Sequence, residues 1–355
     1  MSRFWSDRVS RLNPYVPGEQ TESRLVTKLN TNESPFGPSE RVIEAISNCV
    51  GDDLRLYPDP HSLTLRRAIA SVEGLSSDNV FVGNGSDEVL AHAFRALFKR
   101  DQSILFPDIT YSFYPSYCRL FDLPYQEIAL DRDFMVDVEN YPKKNGGVII
   151  PNPNAPTGID LGRKSIRRLL ERQSDQVVII DEAYVDFGAD TAAIFIEEYP
   201  NLLVTRSLSK SHALAGLRVG YALGHVDLIE GMHRVKDSFN SYPVDRLASA
   251  GAIAAIQDQD YLDRIRVETG RNRDRLTSGL TALGFSVLPS AANFVFVHHK
   301  RIAATTLNEE LRKMNILVRH FARPDRIEGY LRITVGSEAS INQLLDKLQI
   351  IFARQ

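Results

Sequence analysis

The stretch Val80-Phe81-Val82-Gly83-Asn84-Gly85-Ser86-Asp87-Glu88 decides the fold class. Three apolar residues read as a buried strand, and the glycine-containing turn after them opens a helix. That helix carries Val89, Leu90, Ala93, Phe94, Leu97 and Phe98 on one face, at the 3.6-residue period. The same unit recurs along the chain. Ser103 to Phe106, Gly147 to Ile150, Val177 to Ile180, Leu202 to Thr205 and Val219 to Leu223 are short runs, apolar on both faces. Buried strands of a largely parallel sheet have this character. Helical patterns lie between them, such as Gly162 to Gln173 with Ile166, Leu169 and Leu170 on one side. Strands alternating with helices predict an α/β domain whose mostly parallel sheet is sandwiched by helices.

The pattern changes near residue 260. A long charged helix is expected over Tyr261 to Leu283, stopped by Gly284. Strands at Phe285 to Leu288, Asn293 to Val297, Ile316 to Arg319 and Leu331 to Val335 follow. Helices are expected at Ile302 to Met314 and Glu338 to Phe352. The expected organisation is an arm (1–30) packing on the small domain, a large domain (31–260) and a smaller α+β domain (261–355).

With 355 residues, 43% of them hydrophobic and 25% charged, the chain has material for such cores without disulfide or metal staples. Its net charge of -3 argues against non-specific nucleic-acid binding, which needs a basic surface. Cys49 and Cys118 form no CxxC pair and read as buried small hydrophobes in a reducing compartment. The stretch MSRFWSDRVSRLNPYVPGEQ has no apolar h-region, so no secretory leader is expected. No apolar run approaches the ~20 residues that span a bilayer. A cytoplasmic protein without membrane or nucleic-acid partners is the expectation, and no metal site is foreseen.

Four segments suggest chemistry. In Ser207-Leu208-Ser209-Lys210, a lysine follows an apolar strand and two hydroxyl residues, with Arg218 eight positions on. A lone lysine is usually a solvated charge. In a strand-end loop it is also placed to form a Schiff base with an aldehyde cofactor, whose phosphate Ser207, Ser209 and Arg218 would hold. In Val177-Val178-Ile179-Ile180-Asp181-Glu182-Ala183-Tyr184, the acid ends a buried strand and points into the crevice where open α/β sheets bind ligands. It suits a protonated ring nitrogen, though taken alone it reads more readily as a helix N-cap or a magnesium ligand. Gly83-Asn84-Gly85-Ser86-Asp87-Glu88 makes a strand–turn–helix anion site, or simply a capped helix start. It lacks the third glycine of a dinucleotide fingerprint and the lysine of a P-loop, so a small phosphate fits better than a nucleotide. Pro151-Asn152-Pro153-Asn154-Ala155-Pro156 is a rigid loop or a plain tight turn, from which Asn154 can present its amide to a ring hydroxyl.

Taken in order, these segments resemble the fold-type I, pyridoxal-phosphate-dependent aminotransferases, and among them the histidinol-phosphate aminotransferase family. The resemblance covers nearly the whole chain. It includes Asn13-Pro14-Tyr15-Val16-Pro17-Gly18, Leu29 to Pro38, Tyr57-Pro58-Asp59, Ala292-Asn293-Phe294 and Tyr330-Leu331-Arg332-Ile333-Thr334-Val335-Gly336. It implies pyridoxal 5'-phosphate as cofactor and a ping-pong exchange of amino groups between L-histidinol phosphate and 2-oxoglutarate, in histidine biosynthesis. Lys210 would be the Schiff-base lysine and proton shuttle. Asp181 would pair with the ring nitrogen, and Asn154 and Tyr184 would bond the ring hydroxyl. Tyr111 would stack on the ring, though alone it reads equally as a core aromatic. Gly85, Ser86, Asp87, Ser207, Ser209 and Arg218 would form the phosphate cup. Tyr57 would reach it from the other subunit of a homodimer. Arg332 would grip the acidic group of the substrate, Arg319 would assist, and Tyr15 and Asn32 would complete the pocket. His212 is expected to be structural. Ser34, Ser211-His212-Ala213 and Tyr242 to Arg246 depart from the commonest family pattern and leave side-chain preference open. An aromatic aminotransferase and a threonine-phosphate decarboxylase are the alternatives on the same fold.

Overall fold

A computed structural model describes residues 3–21, 23 and 25–354. Seven strands form the large sheet: β1 (Val80–Asn84), β2 (Ile104–Pro107), β3 (Tyr125–Ile128), β4 (Gly147–Pro151), β5 (Val178–Asp181), β6 (Leu202–Ser207) and β7 (Val219–Gly224). Their spatial order is β1-β7-β6-β5-β4-β2-β3. Strands β6, β5, β4, β2 and β3 pair in parallel; β7 is antiparallel to both β1 and β6.

Alternating side chains of these strands enter two different helix layers, as the pleat requires. Val148, Ile150, Val178, Ile180, Leu202 and Val204 pack with Leu65, Ile69, Ile166, Leu169, Leu170 and Ala252 on one face. Ile149, Ile179, Leu203 and Ala222 pack with Leu90, Phe94, Tyr114 and Met232 on the other. Both faces are covered, which is why the sequence shows continuous apolar runs instead of alternation.

A second core is built from Leu276 and Leu280 of the long helix Gln259–Ala282, the helices Ala304–Lys313 and Glu338–Ala353, and a four-stranded antiparallel sheet. That sheet runs in the order Arg319–His320, Tyr330–Thr334, Phe294–His299, Phe285–Val287.

The structure departs from the sequence expectations in four places. The strand β3 was not foreseen: three of its four residues are exposed, so no apolar run marks this sheet edge. The single strand expected over Ile316 to Arg319 is divided. Ile316–Leu317 pairs in parallel with Thr27–Lys28, and Arg319–His320 joins Tyr330–Thr334. The arm does not pack on the second core alone. Leu29 is buried there, but Arg8 bonds Asp122 and the Leu120 carbonyl, and the Tyr15 ring lies 4.7 Å from Phe113 on the large sheet's side. Cys49 is half-buried rather than buried, while Cys118 is buried as expected. Among the described residues no helix is long and apolar enough to cross a membrane.

Candidate active site

The parallel strands deliver their C-terminal ends to one edge of the sheet, and antiparallel β7 starts at that edge. Asp181 is paired in register with Thr205, and Ser207 with Gly220, so Asp181, Ser207 and Arg218 arrive together from three strands. They line a cavity of about 480 Å³ with Ser86, Asp87, Tyr111, Tyr184, Ser209 and Lys210. The arm and the second core close it with Tyr15, Arg319 and Arg332.

Asp181 is buried and has no cationic partner among the described residues. The Tyr114 hydroxyl donates to its Oδ2 at 2.8 Å and the Thr205 hydroxyl to its Oδ1 at 3.1 Å. Burial pushes its pKa up to about 6 despite these donors. A buried carboxylate so placed gains most from a cationic partner in the cavity. The Lys210 ammonium lies 3.4 Å from the Thr31 carbonyl and 5.7 Å from the centre of the Tyr184 ring, and makes no ion pair among the described residues. The Lys210 amine and the Asp181 carboxyl therefore face one space.

The anion cradle forms where the helix Gly85–Leu97 begins. Gly85 has φ +81°, and a Cβ there would sit 2.4 Å from Arg218 Nη2. The bare glycine lets the guanidinium lie against the helix start. On the other side, a Cβ at Gly220 would meet Ser86 N at 2.3 Å, so β7 and the helix start touch backbone to backbone. Uncapped N–H groups, Arg218 and the Ser207 and Ser209 hydroxyls converge here. Asp87 points away from an anion-binding role. Its carboxylate accepts from Tyr111 Oη at 3.0 Å and pairs with Arg218 at 3.2 Å, so it orients the aromatic wall and the cradle's arginine.

From the second core, Arg332 sits in a strand and its guanidinium stacks over Phe294 and Phe321 at 5.3 and 5.5 Å. It donates to the Asn30 carbonyl at 3.1 Å, Nε has no partner, and no carboxylate pairs with it among the described residues. Burial, with the nearby Arg319 charge, lowers its pKa. An unpaired buried guanidinium facing a cavity is a receptor for a bidentate anion.

Four expected residues do not line this cavity. Gly85 acts through its shape. Asn154 is buried beneath it: its amide nitrogen already donates to the Ile109 carbonyl and Thr157 Oγ1, both at 3.0 Å, so the unpaired atom is the oxygen and not the expected donor. Asn32, at φ 56°, spends its side chain on Tyr184 Oη at 3.0 Å and Thr334 Oγ1 at 3.1 Å. It positions Tyr184, and its neighbours Thr31 and Glu33 reach the cavity instead. Tyr57 is 79% exposed and stacks on Tyr242 at 4.6 Å, away from its own chain's cavity. Sequence reasoning missed Tyr114 and Thr205, the two side-chain donors to Asp181, which also accepts from the Ala183 backbone. The only signal was a tyrosine inside the aromatic run Tyr111-Ser112-Phe113-Tyr114, since a buried hydroxyl needs a partner.

The fold and this constellation define a class, and comparison with known proteins agrees. The chain belongs to the class I and II aminotransferases, whose family profile matches residues 24–348. It is 57% identical to the histidinol-phosphate aminotransferase of Gluconacetobacter diazotrophicus, over 100% of this chain and 99% of that one. It is 56% identical to histidinol-phosphate aminotransferase 2 of Thiobacillus denitrificans, over 99% and 98%. The crystal structure of histidinol-phosphate aminotransferase from Sinorhizobium meliloti, in complex with pyridoxal-5'-phosphate, superposes with a TM-score of 0.88 at 25% identity, covering 100% of this chain and 99% of that one. Thermus thermophilus aspartate aminotransferase with maleate shares the fold, with a TM-score of 0.83 at 22% identity over 99% of this chain and 100% of that one.

Proposed function

We propose that the chain is a pyridoxal-phosphate-dependent transaminase that moves the amino group of L-histidinol phosphate to 2-oxoglutarate, giving imidazole acetol phosphate and L-glutamate in histidine biosynthesis. The carrying observation is one cavity lined by two sets of anion-binding groups, Arg218 with the helix start and Arg332 with Arg319, together with Lys210 and Asp181. The names and ligand of the relatives support it. The residues fit the cofactor: a buried carboxylate lacks a cation, a glycine-shaped cradle awaits a phosphate, and Asn154 Oδ1 is unpaired. An aldehyde-bearing pyridinium supplies an electron sink for the pair left when the substrate carbon loses its proton.

The chain's residues do the rest. Lys210 Nζ would hold the cofactor covalently between turnovers. During turnover its amine would take and return a proton at the substrate carbon that bears the nitrogen. Asp181 keeps the ring nitrogen protonated. Arg218, Ser207, Ser209 and the N–H groups at Ser86 fix the phosphate, and Tyr111 covers the ring. Tyr184 donates toward the ring hydroxyl. Arg332 and Arg319 take either the phosphate of histidinol phosphate or a carboxylate of the second substrate, which suits a cycle that must accept both. Tyr57 of the partner subunit completes the phosphate cup in a homodimer, in the cytoplasm.

The test mixes cofactor-loaded protein with histidinol phosphate, phenylalanine or threonine phosphate in separate reactions. Fast conversion of the cofactor to its amine form by histidinol phosphate alone is expected. Equal rates with phenylalanine point to an aromatic aminotransferase, and carbon dioxide release from threonine phosphate to a decarboxylase.

A further inference from the structure

The residues that follow Lys210 are held by groups outside the cavity. Ser211 is 1% exposed, and its hydroxyl donates to Asp186 Oδ2 at 2.5 Å. The other oxygen, Asp186 Oδ1, accepts from Arg266 at 2.7 Å. Arg266 belongs to the long helix Gln259–Ala282, whose later residues Leu276 and Leu280 enter the second core. His212 Nδ1 lies 3.1 Å from Ser211 Oγ. Since the serine's proton goes to the carboxylate, the imidazole donates from Nδ1 to the serine oxygen. The loop closes on itself: Ala213 N donates to the Lys210 carbonyl at 3.2 Å and Leu214 N to the Leu208 carbonyl at 3.0 Å, with Ala213 at φ 57°.

Asp186 keeps its charge. Burial alone would raise its pKa, but the facing charges and the serine hydroxyl hold it down to about 2. The groups facing it are His212 and Arg206 from the large sheet's side, Arg266 from the helix, and Ser211. Burial lowers the pKa of His212, so near pH 7 Arg266 carries the pairing, and the Arg206 charge, itself paired with Glu73 and Glu182, adds at longer range. The segment that presents Asp181 and Tyr184 to the cavity thus runs on to an anchor for the lysine loop. Cofactor pairing and lysine placement share one backbone run.

We infer that Asp186 and Ser211 are positioning residues, which fix the Lys210 loop through a serine–aspartate–arginine link to the long helix. None of its residues lines the cavity. The link sets where the Lys210 amine stands, and so the rate at which that amine meets an aldehyde. This inference rests on the reading of Lys210 given above.

The experiment follows covalent capture directly. Apo protein is mixed with pyridoxal phosphate. The Lys210 amine adds to the aldehyde carbon and water leaves. Borohydride then reduces the carbon–nitrogen double bond at timed intervals, and peptide mass spectrometry counts modified Lys210. Capture in Ser211→Ala is expected about tenfold slower than in wild type, because sub-ångström misplacement is enough for such a loss. Turnover of histidinol phosphate is expected to show kcat down about tenfold with KM within about twofold, since binding groups are untouched. Ser211→Thr keeps the hydroxyl and is expected to capture within about threefold of wild type. Wild-type capture by Ser211→Ala, or equal slowing in Ser211→Thr, overturns the inference. If the threonine variant does not fold, Asp186→Ala tests the link from its other end, with the same expected slowing and the same refuting result. Absence of modified Lys210 in the wild-type protein overturns instead the reading on which the inference rests.

Discussion

Tyr114→Phe removes one oxygen and should move the cofactor's binding curve along the pH axis. The ring's packing survives: Phe94 and Phe106 lie 6.1 and 5.9 Å from it. What goes is the 2.8 Å donor to Asp181 Oδ2. Burial holds the phenol's own pKa far above neutrality, so it is a donor at every working pH. A hydrogen bond to a charged group is worth about 1.5–3 kcal/mol. At 1.36 kcal/mol per unit, its loss should lift the Asp181 carboxyl from about 6 to roughly 7–8.

The sign follows from the direction of the shift. The folded value lies above the ordinary carboxyl value of 3.8, so ionised Asp181 costs the apo protein stability as pH rises from that value through about 6. A bound ring cation offsets that cost, and it needs the carboxylate charged. Near pH 7 the charged fraction should fall from roughly nine-tenths to between about one-tenth and one-half, weakening apparent cofactor affinity about two- to tenfold. Near pH 9 both proteins are mostly ionised. The hydrogen bond then exists equally in wild-type apo and loaded forms and cancels, so the two affinities should converge. Equilibrium titration of pyridoxal phosphate into apo protein, at both pH values, reads this out. A variant affinity equal to wild type at about pH 7, or a deficit equally large at both, refutes the assignment of Tyr114 as a donor that helps keep Asp181 charged.

Arg332→Lys replaces a planar fork by a point charge and should raise KM for both substrates about 10- to 100-fold with a smaller change in kcat; steady-state kinetics check it, and an unchanged KM removes Arg332 from the pocket's function. Gly85→Ala places a side chain at φ +81° and 2.4 Å from Arg218 Nη2. It should cost about 1–3 kcal/mol of backbone strain and displace the guanidinium, read as a lower urea midpoint and at least tenfold weaker cofactor binding. Binding within twofold of wild type would show that the cradle tolerates a methyl group.

The sequence by itself determined the local units. Val178 to Ile180 are apolar on both faces because helices cover both sides of the sheet, so the strand and the acid at its end are legible within five residues. The same holds for Gly85 at its turn and for Lys210 after β6. These features depend on side-chain type and backbone preference within a short window, which is what a sequence displays. The family resemblance then supplied roles that no window contains.

The tertiary structure decided everything that depends on register or on distant pairing. β3 carries no apolar run because it is an exposed edge, and only its pairing with β2 reveals it. Val318 separates two short strands that join different sheets, a division that three apolar residues and an arginine cannot announce. Tyr114 meets Asp181 across 67 residues, and Asp186 meets Arg266 across 80. Asn32 was legible as a pocket residue but spends its amide on Tyr184 and Thr334, since a buried amide is satisfied by whatever donors and acceptors the fold brings near. Strand and turn follow from local sterics and burial. Which polar atom is left free to act is fixed only when all its competitors are in place.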